Sequence, residues 1–557
     1  GAGTGGIAAA ARLARDGFQV TVLEQHNFLG GRCSLQHRDR YVSCLCLSLL
    51  LMRELFDETF QDLGTSLEAE GVELLRCDPK YCIWFADHDT LELSSDLSKL
   101  KREVLRFQGP HGFCRLLEFM KETGRYYDLT VKHVLRALLC QPNVLPVLFA
   151  MRPWTTMSGR VQRYFTSTKM RQAWTFAAVY MGMSPYEAPG TYALQQSSET
   201  VDGIWYPRGG FQRVLQAPAE IGQAQEAEYR LHSPVARIIL SDDRRTARGV
   251  RLQHSGEEIL ADTVIVNADL VYAYNQLLPP SDYAAALTHR PTSCSSISFF
   301  WAVDVPLPQL RPHNIFLAEH YRESFEAIFT HHSIPADPSF YVHVPSRIDP
   351  SAAPPGREAL VVLVPVGSLR GPGEEGDQDQ WEEEDKVVVV ARTRDLVLQT
   401  IECRTGIPNL QSHILHETYE TPRTWRAKFN LDRGAILGLS HSFGNMLCFR
   451  PTMRHPSIGG LYFVGASAHP GTGVPICLAG AKLVAERVKR DVESGGDRDC
   501  AAGRVYWWML LGTLGAAVAV AVLFLRQSSL GRGGSGCWWV GGWLVVNMVQ
   551  MRFFCLL

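Results

Sequence analysis

The sequence predicts an α/β protein with a Rossmann-like dinucleotide-binding domain, a helix-rich region and an apolar C-terminal segment. Three observations lead to this prediction. The chain opens with a glycine-rich turn, an Ala-rich helix and a strand, GAGTGGIAAAARLARDGFQVTVLE. A second glycine-rich loop joins a strand to a helix in LYFVGASAHPGTGVPICLAGAKLVAERV. The uncharged run VYWWMLLGTLGAAVAVAVLFL follows near the end of the chain.

The opening motif predicts a phosphate-binding loop. Gly1, Gly3 and Gly6 match the pattern G-x-G-x-x-G, and the strand Phe18 to Leu23 follows the helix. Such glycines let the backbone approach a pyrophosphate, whose charge then lies at the helix N-terminus. Glu24 ends the strand, at a position where an acid accepts hydrogen bonds from a ribose hydroxyl. The alternative interpretation is a glycine-rich turn before an ordinary helix.

Composition narrows the class of protein. The 557 residues are enough for two or three domains. The net charge of −2 argues against a nucleic-acid-binding surface, so no nucleic acid is predicted as a partner. The 14 cysteines show no Cys-x-x-Cys pair and no zinc-ligand spacing. We therefore predict no metal site and a body with reduced thiols that faces the cytosol.

The second glycine-rich loop lies near the end of the globular part. A strand from Leu461 to Val464 precedes it, and a helix begins at about Pro475. The loop glycines allow main-chain amides to come close to a cofactor; they are Gly465, Gly471 and Gly473. Together with the opening motif, this loop predicts one dinucleotide site built from both ends of the globular part.

The segment after Glu24 resembles the flavoproteins with two dinucleotide-binding domains. Its turn Gly30-Gly31-Arg32 is similar to the second glycine turn of amine oxidases and carotenoid desaturases, in which the arginine lies near the cofactor phosphates. The resemblance implies FAD rather than NAD. Two later positions at strand ends, Val235 and Asp269, are assigned to the same FAD site.

Longer blocks are similar to the bacterial and fungal phytoene desaturases. They are GASAHPGTGVPICLAGAKLVAERV, HVPSRIDPSAAPPG, KFNLDRGAILGLSHSFGNMLCFRP and VIVNADLVYAY, and the resemblance covers nearly all of residues 1–490. It implies an FAD-dependent, membrane-associated enzyme of carotenoid biosynthesis. Such an enzyme desaturates phytoene in several steps toward lycopene or a more desaturated carotene. Hydride passes from allylic carbons to the flavin, and oxygen or a quinone is the possible electron acceptor.

Neither a catalytic base nor a single activity follows from these blocks. His469 and Arg450 are predicted to lie near the flavin, and the catalytic residues stay unassigned. One alternative is another carotenoid oxidoreductase, an isomerase or a ketolase. A second is an enzyme similar to amine or porphyrinogen oxidases. A third is an inactive, membrane-anchored chain similar to flavoproteins.

Two departures from the family pattern affect the predicted flavin site. Where the family has a Phe-Asp-x-Gly-Pro-Ser turn, residues 42–47 read VSCLCL, and Leu45 and Leu47 are expected to crowd the flavin. The first strand of the β-α-β unit, expected before Gly1, is missing from the sequence. We expect a fragment or an error in the gene model to account for both departures.

The predicted FAD-binding domain is built from three separate segments of the chain. The segments are 1–85 and 201–294 (FAD-binding domain, first and second parts), 86–200 (helix-rich, substrate- or membrane-facing), 295–435 (substrate domain), 436–495 (C-terminal FAD motif) and 505–525 (transmembrane helix). The uncharged run Val505 to Leu525 is long enough to span a bilayer. Basic residues are more numerous before this run, which predicts a single pass in the endoplasmic reticulum with a cytosolic body and membrane lipid as a partner.

Overall fold

The structure is a computed structural model that describes residues 1–45, 49–135, 147, 150–371 and 383–494. Two compact units divide the chain, Gly1–Gly496 and Asp497–Leu557. The first unit is an α/β structure, as the sequence predicts.

Short strands alternate with helices along the first unit. The strands are β1 (Thr21–Leu23), β2 (Leu35–Arg38), β3 (Tyr41–Cys44), β4 (Leu74–Cys77), β5 (Tyr81–Trp84), β6 (Thr90–Leu93), β7 (Ile204–Pro207), β8 (Glu228–Arg230), β9 (Val235–Leu240), β10 (Ala247–Leu252), β11 (Glu258–Leu260), β12 (Val264–Val266), β13 (Ser295–Val303), β14 (His313–Phe316), β15 (Phe340–His343), β16 (Glu358–Val366), β17 (Ile414–Glu420) and β18 (Leu461–Phe463). The α-helices are Thr4–Arg15, Arg53–Asp62, Leu97–Gln108, Gly112–Thr130, Met157–Val161, Thr168–Thr175, Leu194–Ser197, Phe211–Ala224, Leu270–Tyr272, Asp282–Thr288, Tyr321–Phe329, Glu383–Thr405, Pro422–Phe429 and Val474–Glu493. The predicted strand Phe18 to Leu23 is therefore shorter than expected, and the predicted helix at Pro475 begins one residue earlier.

Two parallel strand pairs surround the opening loop. One pair joins β1 to β8, and the other joins β12 to β18. The loop lies between them, because the Gly30 amide donates to the Ala2 carbonyl at 2.8 Å and the Asn267 side-chain amide donates to the Gly1 carbonyl at 3.2 Å. This arrangement brings the two glycine-rich segments predicted from sequence to one place.

The Ala-rich helix Thr4–Arg15 is buried between two longer helices. It packs against Phe211–Ala224 and Val474–Glu493. Small side chains permit the close approach, since a Cβ at Gly222 would lie 3.3 Å from the Ala11 Cα. The alanines therefore fix the position of the helix, and with it the direction of the loop at its N-terminus.

A seven-stranded sheet forms the second layer of the unit. Its strand order is β17-β13-β16-β15-β14-β5-β6, in which only the pairing of β14 with β5 is parallel. The strands of this sheet carry large apolar side chains, including Phe299, Trp301 and Val362, which are fully or nearly fully buried. Strands β5 and β6 come from the segment before residue 100, so this sheet combines distant parts of the chain.

The predicted membrane pass requires a correction. Within the described ranges, no helix is both long enough and apolar enough to cross a bilayer. That finding overturns the predicted localisation, a single C-terminal pass in the endoplasmic reticulum. The run Val505 to Leu525, on which the prediction rested, lies outside the described residues.

Candidate functional site

A cavity of about 920 Å³ lies where the two strand pairs and the glycine-rich segments meet. Eleven of the residues predicted to bind FAD line it: Gly1, Gly3, Gly6, Glu24, Gly30, Gly31, Arg32, Val235, Asp269, Gly465 and Gly473. We call it the cofactor cavity. Its walls come from segments more than 400 residues apart in sequence, which is why folding is needed to form it.

The opening loop is shaped to hold an anion. A Cβ at Gly6 would lie 2.0 Å from the Gly1 carbonyl oxygen, so only glycine fits there. The helix Thr4–Arg15 begins at Gly3 without a side-chain cap and has no acid in its first turn. Its first amides therefore keep their positive partial charge for a ligand at the cavity wall. A pyrophosphate matches this arrangement in charge and in size.

Glu24 directly follows strand β1 and is hydrogen-bonded to the opening loop. Its Oε2 accepts from the Ala2 amide at 2.6 Å, and its Oε1 accepts from the His26 amide at 3.0 Å. The carboxylate is buried and also lines the cofactor cavity. Sequence spacing predicted a ribose contact here, but the contact with the loop amide is visible only in the structure.

Arg32 and Asp269 bring opposite charges to the same cavity. The Arg32 guanidinium donates to the Ile436 carbonyl. Asp269 accepts from the Tyr272 amide at 3.1 Å and from the Ser467 hydroxyl at 3.4 Å. Burial raises the pKa of Asp269 to about 6, and the amide bond and the nearby Arg32 charge oppose that rise. Asp269 is therefore a carboxylate held by the main chain beside the loop after β18.

A second, apolar cavity adjoins the first. Its volume is 260 Å³, and its walls include Leu49, Met52, Val179, Tyr180, Leu363 and Met446. We call it the apolar cavity. It shares five lining residues with the cofactor cavity, and these define the junction: Ile436, Leu437, Thr472, Gly473 and Val474. A ligand in the apolar cavity and a ligand in the cofactor cavity can therefore both contact the residues of the junction.

The loop after β18 forms one side of the junction. Gly473 has φ +104° and Gly471 has φ +146°, conformations in which other residues are strained. A Cβ at Gly471 would lie 3.0 Å from the His441 Nε2. Gly471, predicted as a cofactor contact, lines the apolar cavity rather than the cofactor cavity.

Two family models match this chain. The model for flavin-containing amine oxidoreductases matches residues 155–489. The model for NAD(P)-binding Rossmann-like domains matches residues 1–52. The second match coincides with the opening loop, Glu24 and the turn at Gly30, which line the cofactor cavity.

Full-length relatives narrow the family further. The chain is 50% identical over 508 residues to a phytoene desaturase of Fusarium fujikuroi, with 88% of each chain covered. It is 48% identical to a phytoene desaturase of Neurospora crassa, with 88% of this chain and 83% of that protein covered. The chain belongs to the phytoene desaturase family. A more distant member, a zeta-carotene-forming phytoene desaturase of Myxococcus xanthus, is 38% identical.

Solved structures support the fold of this family member. Putrescine oxidase with bound putrescine matches with a TM-score of 0.58, at 15% identity and with 89% of this chain and 98% of that chain covered. An oxidoreductase of Methanosarcina mazei matches with a TM-score of 0.59, also at 15% identity. The FAD-binding, Rossmann-like α/β fold is thereby confirmed, and FAD is the cofactor of the family. Such low identity shows the fold alone, so the amine-oxidase alternative is not favoured over the desaturase.

Arg450 lies behind the loop after β18 and lines neither cavity. Its guanidinium donates to the carbonyls of Ala468 at 3.1 Å, Asn445 at 2.8 Å and Ser440 at 3.2 Å, with further bonds to Leu439 and Ala466. Burial lowers the pKa of Arg450 to about 10, which leaves it charged at neutral pH. It fixes the loop instead of facing the flavin site, a role that no local sequence signal indicates.

His469 lies in the same loop as the glycines after β18. It is buried beside the cis peptide bond to Pro470 and lines neither cavity, whereas Pro470 and Gly471 do line the apolar cavity. Burial, and then the charge of Arg450, lowers the pKa of His469 to about 4. A direct flavin contact of His469 thus stays a prediction, and its neighbours form the wall.

In the altered turn at residues 42–47, Leu45 does not lie where the family pattern leads us to expect it. Leu45 is buried in a cluster with Phe300, Val361, Trp425 and Leu431, and it lines neither cavity. Residues 46–48, including Leu47, lie outside the described part of the chain. The expected crowding of the flavin by Leu45 is therefore not observed.

Replacing Arg450 by methionine tests its role as a support of the loop. We expect a loss of about 3 kcal/mol or more in the free energy of unfolding, because buried carbonyls that lose a charged donor each cost about 1–3 kcal/mol. Denaturant unfolding followed by circular dichroism measures this loss. The control is Arg322→Met, which removes an exposed pair with Glu326 and a contact with the Tyr186 ring and should change stability far less than Arg450→Met. Equal stability of the two variants would contradict the assignment.

Proposed function

We propose that this chain desaturates phytoene, or a related long-chain carotene, in successive FAD-dependent steps. The single observation that carries the proposal is the junction, where the cofactor cavity and the apolar cavity share Leu437, Thr472 and Gly473. The relatives named above are phytoene desaturases, and their names supply the substrate class. The product is lycopene or a more desaturated carotene.

The apolar cavity suits a hydrocarbon that has no polar group to anchor it. Its walls are mainly aliphatic and aromatic side chains, so binding comes from the removal of apolar surface from water. The polar residue His441 lines it but is held neutral, because burial and the Arg450 charge lower its pKa well below the usual value. A charged wall would lose its hydration when a polyene covered it, which is costly, and this wall stays uncharged.

The residues of the cofactor cavity match the parts of FAD by charge. The opening loop and the first turn of Thr4–Arg15 would hold the pyrophosphate, Glu24 the ribose, and Arg32 a phosphate or flavin oxygen. Bound FAD supplies a hydride acceptor. The chain's own contribution is to orient the polyene at the junction and to exclude water, which accounts for much of the rate of an oriented reaction.

The electron acceptor and the lipid partner belong to this proposal as well. Oxygen or a quinone is the oxidant that restores the cofactor after each step. Membrane lipid is the source of the substrate, because a long hydrocarbon partitions into bilayers and not into water.

The experiment supplies the full chain, loaded with FAD, with phytoene in liposomes and follows the carotenes formed by their visible absorption. Parallel reactions under air, under nitrogen, and under nitrogen with a quinone identify the oxidant. Formation of conjugated carotenes supports the proposal. Complete absence of new conjugated products, with flavin bound, would refute it.

Val179→Glu is a matched test of the apolar cavity. We expect carotene formation to fall by more than about a hundredfold, because a buried charge at the wall costs several kcal/mol unless it is paired. The flavin absorbance should persist, since Val179 lines only the apolar cavity. Val388→Glu is the control, because Val388 is exposed on the helix Glu383–Thr405. Unchanged activity of Val179→Glu would show that the substrate binds outside the apolar cavity.

A further inference from the structure

A group of buried polar side chains lies directly behind the wall of the apolar cavity. We call it the buried relay, and it consists of Lys80, Tyr81, Tyr180, Glu199 and Thr200. Tyr180 lines the apolar cavity, and Glu199 follows another lining residue, Ser198. The relay therefore begins at the cavity wall and extends into the protein away from the cavity.

Its two charges are almost completely buried. Lys80 has no exposed surface and Glu199 is 1% exposed. The Lys80 ammonium donates to the Thr200 hydroxyl at 2.6 Å and lies 5.4 Å from the centre of the Trp174 ring. Burying two charges is costly and is a poor route to stability, so a functional role is the better explanation.

The relay also has unused hydrogen-bonding capacity. In the described part of the chain, the Tyr81 hydroxyl, the Tyr180 hydroxyl and the Glu199 Oε1 are buried without a partner in regular hydrogen-bond geometry. The Tyr81 and Tyr180 rings are stacked, with 6.3 Å between their centres. The Tyr81 hydroxyl still interacts with the Tyr180 hydroxyl and with the Glu199 carboxylate, so the three groups are electrostatically coupled. These atoms form a series of proton donors and acceptors from the cavity wall to Glu199.

The reaction requires such a series. Each desaturation removes a hydride and a proton from neighbouring carbons, and the proton is released inside an apolar cavity. His441 lines that cavity, but its Nε2 already accepts from the Thr472 amide at 3.2 Å. A second buried histidine, His313, lies near the Tyr81 ring, and burial together with His343 lowers its pKa well below the usual value. Both imidazoles are poor acceptors.

Glu199 has the opposite tendency. Burial raises the pKa of Glu199 to about 7, while the Lys80 charge and the Tyr81 hydroxyl oppose the rise. The groups that face Glu199 are Lys80 and Tyr81 from the segment at β5, and Tyr180 from Phe176–Met181. A carboxylate with a pKa near the working pH accepts a proton and releases it again with little loss.

We propose that Glu199 is the final acceptor of the proton that desaturation releases, reached from the apolar cavity through Tyr180 and Tyr81. This inference rests on the proposed function. When the second C–H bond breaks, its electron pair forms the new double bond and its proton moves to the Tyr180 oxygen. The Tyr180 proton passes to Tyr81, and the Tyr81 proton passes to the Glu199 carboxylate, which becomes a neutral acid.

Lys80 and the surface end of the same segment complete the cycle. The Lys80 ammonium keeps Glu199 ionised between turnovers, because an opposite charge favours the carboxylate. The segment Ser198–Asp202 reaches solvent two residues beyond Glu199, at Val201, which is 66% exposed. In the proposed cycle, the proton leaves Glu199 toward this end of the segment, which lies at the surface. Glu199 acts through the tyrosines and is a positioning residue rather than a catalytic one.

The test uses the full chain loaded with FAD, with phytoene in liposomes, across a range of pH. For the parent, the rate of carotene formation should rise with pH as Glu199 ionises. Glu199→Gln should lose this rise and be slower by roughly a hundredfold, the usual contribution of a positioned proton acceptor. Tyr180→Phe should be slowed similarly, because it removes the hydroxyl at the wall. Glu199→Asp should recover part of the pH dependence.

A second readout does not depend on turnover. Infrared difference spectra of the parent should show a buried carboxyl group that titrates near neutral pH. The band should be absent in Glu199→Gln and retained in Tyr180→Phe, which separates the acceptor from the route to it. Glu358→Gln is the matched control: Glu358 is also buried and pairs with Arg347 at 2.7 Å, but it lines neither cavity.

The outcomes separate this inference from the proposed function. If Glu199→Gln leaves Lys80 unpaired and fails to fold, Tyr180→Phe and the double variant Lys80→Met/Glu199→Gln decide the question. A parent rate that is independent of pH, or an unchanged pH dependence in the Glu199 variants of an active enzyme, overturns the relay alone. A parent that binds FAD but forms no carotene overturns the proposed function, and the relay with it.

Discussion

Replacing Glu24 by alanine is expected to strip FAD from this protein. The carboxylate accepts from the Ala2 and His26 amides and lines the cofactor cavity. Its loss removes the proposed ribose contacts. It also removes the hydrogen bond that holds the Ala2 amide of the opening loop to the end of β1. Two hydrogen bonds to a charged group are worth about 3–6 kcal/mol together, so FAD affinity should fall by roughly 10²–10⁴.

Flavin fluorescence during titration of the purified protein measures this affinity. The control is Glu228→Ala, on the strand β8 that pairs with β1, where the side chain is exposed and bonds to Arg230. That variant should bind FAD like the parent. If Glu24→Ala also retains parental affinity, the assignment of Glu24 to the cofactor is wrong.

Gly6→Ala is expected to abolish FAD binding by a steric route. The added Cβ would lie 2.0 Å from the Gly1 carbonyl oxygen and 2.9 Å from the Asn267 side-chain amide. The first contact is with main chain, so the loop must move for the methyl group to fit. The strain costs about 1–3 kcal/mol or more, and a displaced loop no longer presents its amides to the pyrophosphate.

Flavin content after purification and thermal unfolding together measure this effect. Gly444→Ala is the matched control, because nothing lies within 4 Å of the position that its methyl group would take and its φ is not positive. We expect Gly444→Ala to keep both flavin and melting temperature. A Gly6→Ala protein with full flavin content would show that the loop tolerates the methyl group, contrary to the geometry.

Part of the lining of the cofactor cavity was predictable because its signals are local. Gly1, Gly3, Gly6 and Glu24 lie within one β-α-β-like segment, and glycine spacing encodes the backbone path directly. The turn at Gly30 follows within a few residues. Local spacing and the two glycine-rich loops therefore identified eleven residues of the cofactor cavity, whereas most of its lining is visible only in the structure.

Spacing along the sequence carried less information on the direction of side chains. Arg450 and His469 line neither cavity, and their proximity to the flavin stays a prediction. Sequence neighbourhood does not specify on which side of a loop a side chain lies. The predicted membrane pass rested on the apolar length of one run and on the charges around it, and no helix in the described ranges supports it.

The sequence by itself determined the α/β fold, because glycine spacing and helix composition act over short distances along the chain. The resemblance of its longer blocks to known proteins supplied the family and the cofactor. Only the tertiary structure decided how the two cavities meet and what lies behind them. The apolar cavity combines Met52, Val179, Leu363 and Met446, and the buried relay combines Lys80 with Glu199. Such contacts depend on how helices and a mixed sheet pack, and packing joins residues that no local pattern connects.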